Sequence, residues 1–537
     1  MKIRITAAVA LLLTLGAGGL SAQQSERSNG RNTGADPAPA IEVLAGAIDA
    51  IGRMHMEEFD DSLLWEAAID GLMESLDDPY AELFTPEEAD AWEETTTGNY
   101  SGIGLQITLL NEQVTVTGVF RGFPASQMGL MVGDVIVGVN GHDASEWSTG
   151  MTADSIRGPA GTEVNVDVRR AGYDEPFSFD ITREEVHVPA VSHGVLESGV
   201  GYVAMDRVAR NAAKEMNEAL QTLGNQRGLI IDLRRNPGGF LDESLMLADL
   251  FLPPGSTLAS TVQRRPGDAA GEPETDSFTD RWPQLVPDLP IVILVDQYTA
   301  SGAEILAGAL QDYDRALVLG QRSFGKGVVQ TVMPLPHGRR LRFTTGSWLT
   351  PLGRSLQRAR DSEMRPVAED LDTLRRVTTA EGRTLIDGGG IFPDLELADD
   401  TLRVSEQKFL SATIEAEFPL GQRIVEFGFR VAADRLQSGQ PAGLSAEEFE
   451  SFVGSLIEEG LEPALLDDPE VTEYLDWRVR VAVAQRMDDV GAEADVRTER
   501  DPVLSEAIRL LTTASTQAEL FDAVQASRDR TVTGEQP

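Results

Sequence analysis

The chain has 537 residues, enough for several separate hydrophobic cores, and 41% of them are hydrophobic, as in globular proteins. It contains no cysteine, which excludes disulfides, thiolate nucleophiles, zinc fingers and iron–sulfur clusters. Basic residues number 45 against 87 acidic ones; a net charge of −42 argues against broad binding to nucleic acid, which needs a basic surface to meet phosphate.

Lys2 and Arg4 precede an apolar run from Ala7 to Leu20, followed by small Ser21 and Ala22. This order predicts a secretory signal peptide over 1–22, hence an exported, periplasmic protein with no integral membrane segment after its removal. A polar stretch, 23–40, reads as a flexible lead-in. From Ile41 to Trp92 apolar residues recur at helical spacing, and 41–97 is expected to be an N-terminal helical region. Within it Thr85-Pro86-Glu87-Glu88 has the form of a capped helix start. At Gly98 the period shortens. Val114 with Val116, Val135 to Val137, and Val164, Val166 and Val168 predict a small β-rich module over 98–185. From 186 to 400 strands and helices alternate, which argues an α/β core, and the Pro-, Gly- and charge-rich stretch 256–288 reads as a long connection or flap. The helical period returns over 401–537, including a capping box at Ser445 and Glu448, and predicts a supporting or assembly domain.

Three segments of the α/β part carry chemistry. Gly228 to Asp232 is an apolar strand that runs into Arg235-Asn236-Pro237-Gly238-Gly239. Adjacent glycine amides can converge on one point and hold negative charge, although many such turns only connect a strand to a helix. Ile291 to Val295 is a second apolar strand, followed by Thr299-Ala300-Ser301-Gly302-Ala303-Glu304. Ser301 would begin a helix, either as an ordinary cap or as a nucleophile facing helix amides. Lys326 lies between Gly325 and Gly327. A surface lysine is the plain reading; a buried one beside Ser301 would lose its charge and could take the serine proton. Gln330, on the same strand face if the run is regular, could orient it. The five histidines form no zinc motif, and no serine sits in a Gly-x-Ser-x-Gly elbow.

In order along the chain, these segments resemble the carboxyl-terminal processing (tail-specific) proteases. The resemblance starts at Asp70-Gly71-Leu72 and Ser75 to Tyr80, continues through Tyr100 to Gly104, Phe123 to Ser126, Gly133 to Ile136 and Gly158, and ends at Gly388 to Asp394. It implies an α/β multidomain fold: a serine protease core with a PDZ-like domain before or inserted in it, flanked by helical regions. It further implies Ser301 as nucleophile, Lys326 as general base, Gln330 as its positioning residue, and an oxyanion hole from the amides of Gly302 and of Gly238 or Gly239. Gly302 and Arg235 depart from the family's usual residues, and neither change removes a reactive side chain. Gly102-Ile103-Gly104 resembles the loop that receives a peptide's terminal carboxylate. Expected partners are protein or peptide C-terminal tails, an activating adaptor protein, and further copies of the chain through the C-terminal helices. No cofactor and no metal are expected. Other readings are an inactive peptide-binding scaffold of the cell envelope and a related protease acting on short peptides.

Overall fold

Apolar runs of four or five residues recur through the middle of the chain, and they become strands of one sheet. The computed structural model describes residues 38–533 apart from 60, 121, 171, 174, 265–271, 362 and 363. The signal peptide read over 1–22 and most of the lead-in lie outside the described residues; the last three lead-in positions already belong to the helix Ala38–Met54. The chain divides into two units at Ala67. The first holds Ala38–Met54, with an Arg53–Asp49 ion pair one turn apart at 2.7 Å. The helix Asp61–Glu74 runs across the division.

In the second unit the central sheet has six strands, in the order Val191–Val195, Gly201–Met205, Leu229–Asp232, Ile291–Val295, Leu317–Gly320 and Leu395–Glu396. The first pair is antiparallel and the others are parallel. Parallel strands are covered on both faces, which explains their unbroken apolar composition. Ile231, Ile293 and Val318 face a core with Met216, Leu247 and Leu306 of the helices Ala212–Leu223, Leu241–Asp249 and Gly302–Asp312. Ile230, Val292, Leu294 and Leu319 face the other way, against Val503, Leu504, Leu511 and Leu520.

That second core divides the C-terminal region. Val404–Glu415, Leu420–Ser438, Ala446–Glu458 and Pro469–Arg486 close around their own centre at Phe409, Phe427, Phe452 and Leu475. Val490–Arg497, Pro502–Thr513 and Gln517–Thr533 instead complete the sheet, because its second apolar face requires cover. Asp501, which caps Pro502–Thr513, also pairs at 2.7 Å with Arg234 at the end of the strand Leu229–Asp232.

The β-rich module is a six-stranded sheet from Leu105–Leu110 to Phe177–Thr182 with the helices Pro124–Met128 and Thr149–Ile156, packed around Val116, Ile136, Val166 and Ile181. Its entering strand, Asn99–Gly102, pairs with its leaving strand, Glu184–His187. At its far end Asn111 N–H donates to Glu426 of Leu420–Ser438 at 2.8 Å.

A third sheet corrects one expectation. The 256–288 stretch is no mere connection: Thr257–Gln263 and Glu274–Thr279 are antiparallel strands, and the first pairs with Arg340–Leu349. Val328–Pro334 pairs with the same long strand, as does Glu82–Phe84, which lies inside the region read as helical. Thr85 caps Pro86–Thr97 with a reciprocal Glu88 bond, as its pattern suggests.

Candidate active site

Parallel register decides where the chemistry sits. Ile231 pairs with Ile293 and Asp232 with Leu294, so the turns after these two strands leave the same sheet edge side by side. They are stitched together. Asp296, buried, accepts the Arg235 and Thr299 amides at 3.0 and 2.9 Å. Thr299 Oγ1 donates to Leu233 O at 2.8 Å, and Ala300 N–H donates to Asn236 O at 2.9 Å. A Cβ on Gly238 would stand 2.6 Å from both Ala300 O and Gly302 N, so only glycine permits this approach.

Ser301 lies at φ 52°, ψ −115°, a region that costs a non-glycine residue about 1–3 kcal/mol. It directly precedes Gly302–Asp312, as the strand-then-helix pattern implied. Gly238 N–H is spent on Asn236 Oδ1 at 2.9 Å. The amides of Gly239 and Gly302 have no acceptor among the described residues, and a Cβ on Gly302 would be 3.2 Å from Gly239 N. Two unpaired donors therefore lie close together beside Ser301.

Lys326 Nζ donates to Gln330 Oε1 at 2.6 Å, Gln330 Nε2 donates to Tyr80 O at 3.1 Å, and the ammonium lies 5.0 Å from the Tyr80 ring centroid. Burial, with help from the Arg342 charge, pushes the lysine down to about 8, against the pull of Asp78 and Glu304. No direct hydrogen bond links Lys326 to Ser301 Oγ. Lys326 and Gln330 do not share a face of one regular strand: Lys326 precedes the strand Val328–Pro334, whose register shifts between Val329 and Gln330. Gly327 is needed because a Cβ there would meet Gln357 N at 2.7 Å.

In the sequence Glu304 stands out only as part of a helix start. It is fully buried, and its carboxylate accepts from Ser301 N (2.8 Å), Ser323 Oγ (2.5 Å), Gly325 N (2.7 Å) and Lys326 N (2.8 Å). One side chain thus ties the Ser301 turn to the Lys326 loop. Burial raises its pKa, and those hydrogen bonds oppose the rise. Sequence carried a weak signal for it, a carboxylate three residues after the serine, which is also the spacing of a common cap. The resemblance over Ser75 to Tyr80 assigns no role to Asp78 or Tyr80; Asp78 accepts Thr344 N–H at 2.8 Å on the long strand behind the lysine.

Ser301, Lys326, Gln330, Gly238, Gly239 and Gly302 line a cavity of about 1360 Å³, with Ile305, Leu241 and Trp348 as apolar walls. Gly102, Ile103, Leu105 and Ile156 of the β-rich module line the same cavity, whereas Gly104, at φ 82°, packs against Phe123. The site and the β-rich module thus face one space. Among the described residues no group of three or more acidic or histidine side chains could hold a metal ion, and no helix is long and apolar enough to cross a membrane.

The sequence model of peptidase family S41 matches residues 199–365, and that of the PDZ domain matches 115–170. A carboxy-terminal-processing protease of Bartonella bacilliformis is 34% identical over 304 residues, 56% of this chain and 68% of that protein. A carboxyl-terminal-processing protease of Synechocystis is 37% identical over 292 residues, 53% of this chain and 66% of that one. Among solved structures, a photosystem II D1 C-terminal processing protease shares 25% identity, covering 61% of this chain and 92% of its own, with a TM-score of 0.32. The matched region contains both turns and the lysine loop, and with a relative this similar over two thirds of its length, the chain belongs to peptidase family S41, as a serine protease of the carboxyl-terminal processing kind that carries a PDZ domain.

Proposed function

We propose that the protein is an exported, periplasmic endopeptidase that cuts proteins near their free C-termini with a Ser301–Lys326 dyad. The observation that carries this reading is a half-buried lysine brought down to about 8, opening onto the same cavity as a strained serine and two unpaired amides. Neutral Lys326 takes the Ser301 proton as Oγ bonds to the peptide carbon. The carbonyl oxygen, now negative, is met by the amides of Gly239 and Gly302, with Gly238 holding the turn. Lys326 then gives its proton to the departing amine as the C–N bond breaks. Water, deprotonated by the same lysine, releases the acyl fragment. Gln330 holds Nζ through Oε1 and is itself held by Tyr80 O. The Lys326–Gln330 bond fits a resting arrangement that tightens on the serine when substrate arrives. The PDZ domain would take a tail as an added strand along Leu105–Leu110, its carboxylate at Gly102-Ile103-Gly104, and pass it into the shared cavity.

The test is cleavage of a protein with a small apolar C-terminal residue and a free carboxylate by the mature chain, with cut sites read by mass. Ser301→Ala and Lys326→Ala should each lower the rate by about a thousandfold or more, and amidating the tail should slow the parent. Undiminished cleavage by either variant would reject the dyad.

A further inference from the structure

A smaller pocket lies beside the large cavity and takes part in none of these steps. It holds about 600 Å³ and is lined by Tyr80, Arg235, Pro237, Tyr298, Phe324 and Lys326, among others. It shares Lys326 and Pro237 with the large cavity but includes neither Ser301 nor the amides of Gly238, Gly239 and Gly302. The lysine delivers a proton to the departing amine, so a pocket that meets the lysine and misses the oxyanion donors lies on the leaving-group side.

Its polar lining has one sign. Arg235 sits at φ 61°, a left-handed conformation that costs a side chain about 1 kcal/mol, and its backbone is pinned there by the bond to Asp296. Its neighbour Arg234 is bound to Asp232 and Asp501, whereas the Arg235 guanidinium has no hydrogen-bond or ion-pair partner among the described residues. Asp399 senses its charge without pairing with it. No carboxylate among the described residues lines this pocket, although the chain carries 87 acidic residues. Tyr80 Oη is buried without a well-formed hydrogen bond, and burial raises its pKa, so it stays a donor. The pocket therefore offers an unpaired cation and a buried hydroxyl, between aromatic walls, and no carboxylate among the described residues to match the charge.

We propose that this pocket receives the residue after the cleaved bond and that Arg235, with Tyr80 Oη, selects a carboxylate there. This rests on the reading of Ser301 and Lys326 as the peptidase dyad. The carboxylate has two sources, an Asp or Glu side chain, or the chain terminus when the cut falls close to the end.

The test uses the full mature protein and one cleavable peptide, its cut site located by mass, with Glu, Gln or Lys placed after the cut, and short versions ending there as acid or amide. The parent should favour Glu over Gln by about fivefold in kcat/KM, the scale of an exposed ion pair. In Arg235→Gly that ratio should fall to about one, and Arg235→Lys should keep part of it. Glycine suits φ 61°, so this variant should fold at least as well as the parent. If the acid–amide pair of the short peptides shows the Arg235-dependent preference and the Glu–Gln pair does not, the terminal carboxylate is the source. Equal rates for all of these in the parent, or a preference unchanged in Arg235→Gly, would overturn the proposal. If the parent cuts nothing, the peptidase reading fails separately; binding of the same peptides to Ser301→Ala then decides, and equal Kd values for Glu and Gln peptides would overturn the role of Arg235.

Discussion

The strands of the central sheet and those of the PDZ domain are built on different burial patterns. Every residue of Ile291–Val295 is buried, whereas Glu163–Arg169 alternates buried and open positions. The first pattern belongs to a sheet sandwiched between helices, the second to a sheet with one wet face. The sheet's edge turns are cross-linked by Asp296, Thr299, Asn236 and Glu304, while the PDZ domain meets the body through the paired strands Asn99–Gly102 and Glu184–His187, with His187 bonded to Glu215, an Arg157–Glu94 ion pair and a far contact at Asn111. Chemistry is placed where the backbone is over-determined, and recognition where few bonds hold the module.

The contrast breaks most severely at Glu304. Glu304→Ala strands three backbone amides and a hydroxyl in a dry site and should destabilise the protein by at least about 3 kcal/mol, seen as a lower midpoint in urea, together with near-complete loss of peptide cleavage. PDZ binding of tail peptides should survive wherever the domain remains folded.

The catalytic side also sharpens with pH. In the proposed mechanism Lys326 works as the neutral amine, so cleavage should rise with pH and level off above about 8. Arg342 carries one of the charges that hold this lysine down, so Arg342→Gln should move the rising limb to higher pH, read from kcat/KM profiles. An unmoved limb would mean that burial alone sets the lysine.

A smaller effect belongs to a buried carboxyl pair in the body of the protein. Asp280 is raised to about 6 by burial and by Asp249. Its folded value lies above its ordinary one, so the stability it adds is complete in acid and is lost as pH rises through about 6. Asp280→Asn should therefore raise the Tm more at pH 8 than at pH 5. The smallest effect is at the edge of the PDZ domain: Glu426→Ala removes the acceptor of Asn111 N–H and should cost under about 1.5 kcal/mol, with faster hydrogen exchange confined to the turn near 110–113.

The sequence was readable where local pattern and tertiary role agree. The two apolar runs, the glycine turn between Pro237 and Phe240, and the Thr85 and Ser445 caps depend on neighbours within a few positions. The hairpin in 256–288 was hidden because its second strand, Glu-Thr-Asp-Ser-Phe-Thr, is polar and exposed, and its first strand takes its place in the sheet only through a partner some 80 residues on. Glu304 was hidden for a related reason: its partners Ser323, Gly325 and Lys326 are 19 to 22 residues distant. Helical period alone could not divide the C-terminal region, since an apolar stripe does not say whether a sheet or another helix will cover it.

The helices that close the second face of the sheet give the protein a timetable. Ile230, Val292, Leu294 and Leu319 remain uncovered until Val503, Leu504 and Leu511 arrive, some 180 residues or more after the last of these strand positions has been synthesised. A nascent chain therefore carries the serine and the lysine long before it can fix the sheet edge that aligns them. Proteolytic competence comes late in biogenesis, and the unfinished chain is spared its own chemistry.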